Sequence, residues 1–118
     1  MRFQDQAVLV TGGGSGIGQQ VCYAAAEEGA RVAVGDLDLE RAETTAAEIR
    51  SRKGEAHAFQ IDVANPASAA GFVTAAETAL GRLDVLVNSA GVREIVSVLD
   101  LSFEEWSRVI SINLSGTF

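Results

Sequence analysis

The stretch Thr11-Gly12-Gly13-Gly14-Ser15-Gly16-Ile17-Gly18 limits what this chain can fold into more than any other. It follows an apolar run, Ala7-Val8-Leu9-Val10, and leads into a helical pattern with apolar residues at Ile17, Val21, Ala24 and Ala25. Strand, glycine-rich turn and helix in that order set a helix N-terminus at the carboxyl end of a strand. Free N–H groups and the positive end of the helix dipole gather there, which suits an anion. Gly12 turns the chain sharply, Gly16 admits a phosphate against the backbone, and Gly18 lets helix and strand pack closely. The spacing excludes two common phosphate-binding patterns. No register satisfies G-x-G-x-x-G, and no Lys follows to complete a P-loop.

The alternation continues along the chain. Gly29 closes the first helix, and Arg31-Val32-Ala33-Val34-Gly35-Asp36 reads as a second strand. Asp38 caps a second helix with Leu39, Ala42, Ala46 and Ile49 on one face, ended by Gly54. A third strand runs from about Ala56 to Ile61. Asn65 caps and Pro66 opens a third helix, whose apolar stripe is Ala69, Phe72, Val73, Ala76 and Leu80. A fourth strand, Asp84 to Asn88, is apolar without alternation, as expected of a strand covered on both faces. Ser102-Phe103-Glu104-Glu105 forms a capping box before a fourth helix expected to turn Phe103, Trp106, Val109, Ile110 and Leu114 inward. Strands alternating with helices imply right-handed crossovers and parallel pairing. The predicted class is α/β, half of a doubly wound Rossmann-type sheet in strand order 3-2-1-4. The carboxyl ends of strands one and four then flank the switch point where ligands bind.

Asp36 ends the second strand, 20 residues after Gly16. A carboxylate there accepts both hydroxyls of an adenosine ribose and repels a 2′-phosphate. Neither Ser15 nor Leu37 supplies a positive charge beside it, so NAD is the expected cofactor over NADP. The alternative for Asp36 is a cap on the following helix, for which Asp38 is better placed.

The pattern T-G-x-x-x-G-x-G over residues 11–18 resembles the short-chain dehydrogenase/reductase family, and four further stretches extend the resemblance over essentially the whole chain. The resemblance implies that Gly12, Ser15, Gly16, Ile17, Gly18, Asp36 and Leu37 contact the cofactor. It implies that Asp62 meets the adenine amino group and that the backbone of Val63 contacts the ring. On spacing alone, Asp62 reads equally as a solvated strand-end acid. Asn88-Ser89-Ala90-Gly91 is similar to the family's N-N-A-G motif, with Ser89 in place of the second Asn. There Asn88 is implied to brace the neighbouring strand and touch the cofactor, while Ala90 and Gly91 let the backbone pass close to the nicotinamide ribose. Asn113, in Ile112-Asn113-Leu114-Ser115-Gly116, is similar to the family's helix-borne active-site Asn. Its implied catalytic work is to hold a kink whose free carbonyl binds a water in a proton relay. An ordinary polar helix position is the alternative.

The implied activity is hydride transfer between NAD and a small carbonyl or alcohol. The family's acid is a Tyr four residues before a Lys, with a Ser upstream, and these lie beyond the position matching Phe118. The only Tyr here is Tyr23, with Glu27 four residues on. Residues 1–118 are therefore expected to be an NAD-binding half lacking a general acid, and by themselves a nucleotide-binding module without turnover. A methyltransferase would place an acid just before the glycines, where Thr11 stands.

Charge and composition narrow the partners. A formal net charge of −7 argues against nucleic acid and anionic membranes. The single cysteine, Cys22, forms no internal disulfide and suits a reducing cytoplasm. His57 has no Cys or His partner, so no metal is expected. Trp106 is expected in the core and Cys22 buried on the first helix. The resemblance implies a homo-oligomer, paired through the fourth helix as in the family's dimers.

Overall fold

A computed structural model describes residues 1–118. Four parallel strands, β1 (Ala7–Thr11), β2 (Arg31–Asp36), β3 (Glu55–Gln60) and β4 (Val85–Asn88), form one sheet in the order β3-β2-β1-β4. The helices are α1 (Gly16–Glu27), α2 (Leu39–Ser51), α3 (Pro66–Leu80) and α4 (Phe103–Ile110), the last running into a π-helical turn at Ser111–Ser115. This is the half Rossmann sheet read from the sequence.

Two apolar layers sandwich the central strands. Val8, Val10, Val32 and Val34 point to one face, where they meet Cys22 and Ala25 of α1 and Ala42, Ala46 and Ile49 of α2. Ala7, Leu9 and Ala33 point to the other, under Phe72, Ala76 and Leu80 of α3. The period of two along each strand and the right-handed crossovers account for this division. Asp38 accepts the N–H groups of Glu40 and Arg41, and Asn65 those of Ala67 and Ser68, so both helix starts follow the sequence signals. Ser102 and Glu105 complete the capping box of α4.

Register aligns the carboxyl ends of the strands. Thr11 sits opposite both Gly35 and Asn88, and Asp36 opposite Gln60. The glycine turn, Asp36, the segment after β3 and the segment after β4 are thereby collected at one end of the sheet.

Five expectations about burial give way. Ile17 is 80% exposed instead of joining the apolar face of α1, because it lies in the first turn, beyond the edge of the sheet. Leu39, at the first turn of α2, and Val73 of α3 are exposed as well. β4 is an edge strand whose residues alternate between half-buried and exposed, so its continuous apolar run has cover on one face only. No residue of α4 is buried, and Trp106 is 54% exposed, since no element packs against its apolar stripe here. The end of α2 also differs in detail. Lys53 takes the left-handed conformation, while Gly54 is needed because a Cβ would come within 2.7 Å of Ile49 Cγ2.

Candidate functional site

A cleft of about 700 Å³ opens at the carboxyl end of the sheet. That lies within the roughly 300–1,000 Å³ common for small-molecule sites. Of the residues proposed from sequence, Gly12, Ser15, Gly16, Ile17, Asp36, Leu37, Asp62, Val63, Ala90 and Gly91 line it. Gly18, Asn88 and Asn113 do not.

The glycine turn owes its shape to close backbone approach. Gly12 has φ +69°, and a Cβ on it would come within 2.8 Å of the Ala90 nitrogen. Gly18 allows the tightest contact, since a Cβ there would lie 2.2 Å from the Gly12 carbonyl oxygen. Gly16 differs. Its φ is +54°, yet nothing lies within 4 Å of the place a Cβ would occupy. The open side of Gly16 belongs to the cleft.

Helix capping points to the same place. Asp38, Asn65 and Ser102 cap α2, α3 and α4 with their side chains. Ser15, at the start of α1, makes no such bond. The first-turn N–H groups of α1 therefore keep their donor capacity where the cleft meets the helix, and no acidic side chain occupies that turn. Donors of this kind suit a phosphate or pyrophosphate.

Asp36 is held rigidly. One carboxylate oxygen accepts the Gly14 N–H at 2.9 Å and the other the Asp38 N–H at 3.0 Å. Each oxygen retains an unused lone pair, enough to accept two neighbouring hydroxyls. The carboxylate thus braces the glycine turn as well as lining the cleft. Asp38, not Asp36, caps α2.

On the far side, Asp62 folds its own segment, its Oδ1 accepting the Ala64 N–H at 3.0 Å. Val63 packs against the end of the π-helical turn, where a Cβ on Gly116 would lie 2.7 Å from Val63 Cγ2.

The bracing assigned to Asn88 passes through Thr11. Its carbonyl accepts the Ser89 N–H at 3.2 Å, and its hydroxyl oxygen accepts the N–H groups of Ser89 and Ala90, each at 3.3 Å. Thr11 opens the sequence motif, but its pairing with residues 89 and 90 spans nearly eighty positions. Asn113 clamps Val92 from both sides, its Oδ1 accepting the Val92 N–H at 2.8 Å and its Nδ2 donating to the Val92 carbonyl at 2.7 Å. The Asn113 carbonyl accepts the Thr117 hydroxyl at 3.1 Å. Asn113 itself lies within the π-helical turn Ser111–Ser115.

Two cations also line the cleft. Arg41 stands beside Asp36 and pairs with Asp38 at 3.5 Å, and Arg108 pairs with Glu94 at 3.0 Å. Arg41 lies one helical turn past Asp38, a spacing at which an Arg–Asp pair is readable in the sequence. Tyr23 is remote from the cleft, between α1 and α2 under the Arg52 guanidinium, 5.5 Å from its ring centre. His57 faces Glu55 on the edge strand at 3.7 Å. Cys22 is fully buried, and burial pushes its thiol up to about 12.

Comparison with known proteins places the fold in a family. Residues 6–118 match the family described as short chain dehydrogenase. D-threitol dehydrogenase of Mycolicibacterium smegmatis is 43% identical over 117 residues, which cover 99% of this chain and 45% of that protein. A cyclopentanol dehydrogenase of Comamonas testosteroni is 41% identical over 117 residues, 99% of this chain and 47% of the relative. The chain thus spans about half the length of the curated relatives it matches. A short chain dehydrogenase structure from Mycobacterium smegmatis superposes with a TM-score of 0.93 at 33% identity, over 98% of this chain and 48% of that one. A hydroxysteroid dehydrogenase structure from Escherichia coli gives 0.92 at 28% identity, with the same two shares. This chain belongs to the short-chain dehydrogenase family.

Proposed function

We propose that these residues form the NAD-binding half of an oxidoreductase acting on a small alcohol or carbonyl. The observation that carries the reading is the Asp36 carboxylate, fixed by Gly14 and Asp38 at the rim of a cleft whose floor is an uncapped helix N-terminus. The residues fit a dinucleotide. The N–H groups at the start of α1 bind the pyrophosphate, the open side of Gly16 leaves room for it, and Asp36 accepts the adenosine ribose hydroxyls. Ser15, Ile17 and Leu37 wall the cleft around these groups, and Asp62 and Val63 receive the adenine. Ala90 and Gly91, held by Thr11, pass beside the nicotinamide ribose. When bound, the nicotinamide supplies or accepts the hydride. Asn113 fixes the cleft wall through Val92.

The carboxylate of Asp36 repels a 2′-phosphate, so NADP binds less well than NAD. Relatives named for D-threitol and cyclopentanol have unlike carbon skeletons. The chemistry they share is the alcohol, and that supports a small alcohol or its carbonyl as the substrate class of this protein. A cytoplasmic homo-oligomer suits the composition and the bare apolar stripe of α4. Residues 1–118 by themselves bind nucleotide without turnover, because their one tyrosine, Tyr23, stands between α1 and α2, and a carbonyl needs a proton donor within about 3 Å.

Calorimetry tests the reading. NAD is expected to bind more tightly than NADP, and Asp36→Ala to weaken NAD by about 1.5–3 kcal/mol, the range for hydrogen bonds to a charged group. Tighter binding of NADP by the unaltered chain would overturn it.

A further inference from the structure

Two polar side chains are buried in this chain, Thr11 and Thr45. Thr11 holds the segment after β4. Thr45 sits away from the cleft, on the face of α2 that buries Ala42, Ala46 and Ile49. Its hydroxyl donates to the Arg41 carbonyl at 3.3 Å and accepts from Gln19 Nε2 at 3.1 Å. The donation stays within α2 and is a bond that a helical Thr commonly makes. The Gln19 bond leaves the helix and crosses to α1. Burying a hydroxyl costs free energy that this bond offsets, and an alanine, as at 42 and 46, would have served packing alone.

The place of Gln19 shows what the bond fixes. Its own N–H closes the first turn of α1 on the Ser15 carbonyl at 3.2 Å. The glycine turn is anchored just before this point, by the Gly13 N–H to the Gly35 carbonyl and the Gly14 N–H to Asp36, both at 2.9 Å. Between those anchors and the helix stand Ser15, with extended backbone, and Gly16, at φ +54° with nothing within 4 Å of a Cβ position. That joint does not itself fix the angle at which α1 starts. The start of α2 is referenced to the acid, because the Asp36 carboxylate accepts the Asp38 N–H at 3.0 Å. A bond from Gln19 to α2 therefore sets the leading turn of α1 against Asp36 by a second route. The other side-chain bond between the two helices, Arg52 to Glu27 at 3.2 Å, is exposed and lies at their far ends.

We infer that Gln19 is a positioning residue for the cleft: through Thr45 it holds the N–H groups at the start of α1 at a set distance from the Asp36 carboxylate. This inference rests on the dinucleotide reading of the cleft. A ligand that touches only one of the two groups gains nothing from their spacing. A ligand that spans them gains, because its second contact then forms without further ordering.

Calorimetry with NAD and ADP, and magnetic-resonance titration with adenosine, test this on variants shown to be folded by circular dichroism. Gln19→Ala is expected to weaken ADP and NAD by about fivefold or more while changing adenosine by less than about twofold. Thr45→Val should give the same split, and Thr45→Ser should restore ADP binding. Gln19→Ala combined with Thr45→Val should lose no more than either alone, since one bond is removed in each case. Should Thr45→Val fail to fold, Gln19→Ala carries the test, because Gln19 is only half-buried and alanine suits a helix. A merely structural bond would lower the urea midpoint and leave the affinities of the folded chain alike. ADP affinity unchanged in Gln19→Ala, or a loss shared equally by adenosine, overturns the inference and leaves the dinucleotide reading intact. Failure of the unaltered chain to bind ADP or NAD overturns both.

Discussion

Asn113 holds Val92 at both backbone atoms, donating to its carbonyl and accepting from its N–H across 21 positions of sequence. The pair ties the π-helical turn to the segment leaving β4. A side chain that satisfies a neighbouring backbone in this way acts like one rung of a sheet, and fixes where the wall of the cleft stands. Asn113→Ala should release it. The expected result is faster hydrogen exchange at the Val92 amide and a stability loss of about 1 kcal/mol, modest because both bonds are solvent-exposed. Asn113→Asp should not rescue the wild-type behaviour, since a carboxylate cannot donate to the Val92 carbonyl. Unchanged exchange at Val92 in Asn113→Ala would refute the tether.

The glycines of the turn should separate folding from binding. Gly18→Ala drives a Cβ to 2.2 Å from the Gly12 carbonyl oxygen, a clash with backbone that no side-chain rotation relieves. A loss of about 3 kcal/mol or more is expected in urea denaturation. Gly16→Ala meets no atom, but its φ of +54° costs a residue with a Cβ about 1–2 kcal/mol. It should fold and yet bind NAD poorly, because the added methyl enters the cleft. Wild-type NAD affinity in Gly16→Ala would show that the phosphate lies elsewhere.

Much of this was legible beforehand because it is encoded locally. Asp38, Asn65 and Ser102 announce helix starts through groups two or three residues away, and the order of strands follows from crossover handedness. Thr11–Ala90 and Asn113–Val92 were not legible as contacts, because nothing in a periodic pattern states which distant backbone a side chain will reach. The exposure of β4 and α4 was hidden for a related reason. An apolar run declares that a face wants cover, but not which element supplies it. The place of Arg41 beside Asp36 at Gly14 is a tertiary relationship of the same kind.

Asp84 should govern the acid limb of stability. Its Oδ1 accepts from the Arg82 side chain and its Oδ2 accepts the Ala7 N–H at 2.8 Å, which joins the starts of β4 and β1. The Arg82 contact first, and the Ala7 bond second, hold its carboxyl below the usual aspartate range. The folded pKa lies below the unfolded value of about 3.9, so the unfolded chain binds the proton first. The stabilisation is present above the unfolded value and is lost as pH falls through it toward the folded one. Glu28 and Glu105, lowered by Arg2 and by Ser102, act in the same direction. Urea midpoints measured as pH is lowered should fall less steeply for Asp84→Asn than for wild type, from a lower starting value at neutral pH. Parallel curves would remove Asp84 from the account.

Cys22 should be chemically silent while the chain is folded. The thiol is fully buried beneath the glycine turn, with Sγ 3.0 Å from the place a Gly13 Cβ would occupy. With its pKa pushed up to about 12, the thiolate is scarce near neutrality. A disulfide reagent should react roughly 10³-fold more slowly with the native chain than with the chain in urea. Comparable rates would mean that the turn opens readily.

The uncovered face of β4 and α4 should make the 118-residue polypeptide associate with itself. Leu86 is 54% exposed on an edge strand, and Phe103 is 77% exposed at the start of α4, on the helix that carries exposed Trp106. The edge strand offers unpaired N–H and C=O groups and α4 a bare apolar stripe, and these favour strand addition and face-to-face burial. Burying a side chain the size of Leu or Phe contributes about 1.5–3 kcal/mol, so a few such residues shared between two copies reach micromolar affinity before ordering losses. Light scattering over a concentration series should show mass rising above that of the 12.3 kDa chain, accompanied by binding of a hydrophobic dye at low concentration. Leu86→Thr with Trp106→Gln should move the series toward monomer without lowering the urea midpoint, because neither side chain is buried in the fold. A monomer at every concentration that binds no dye would show that this face is content in water.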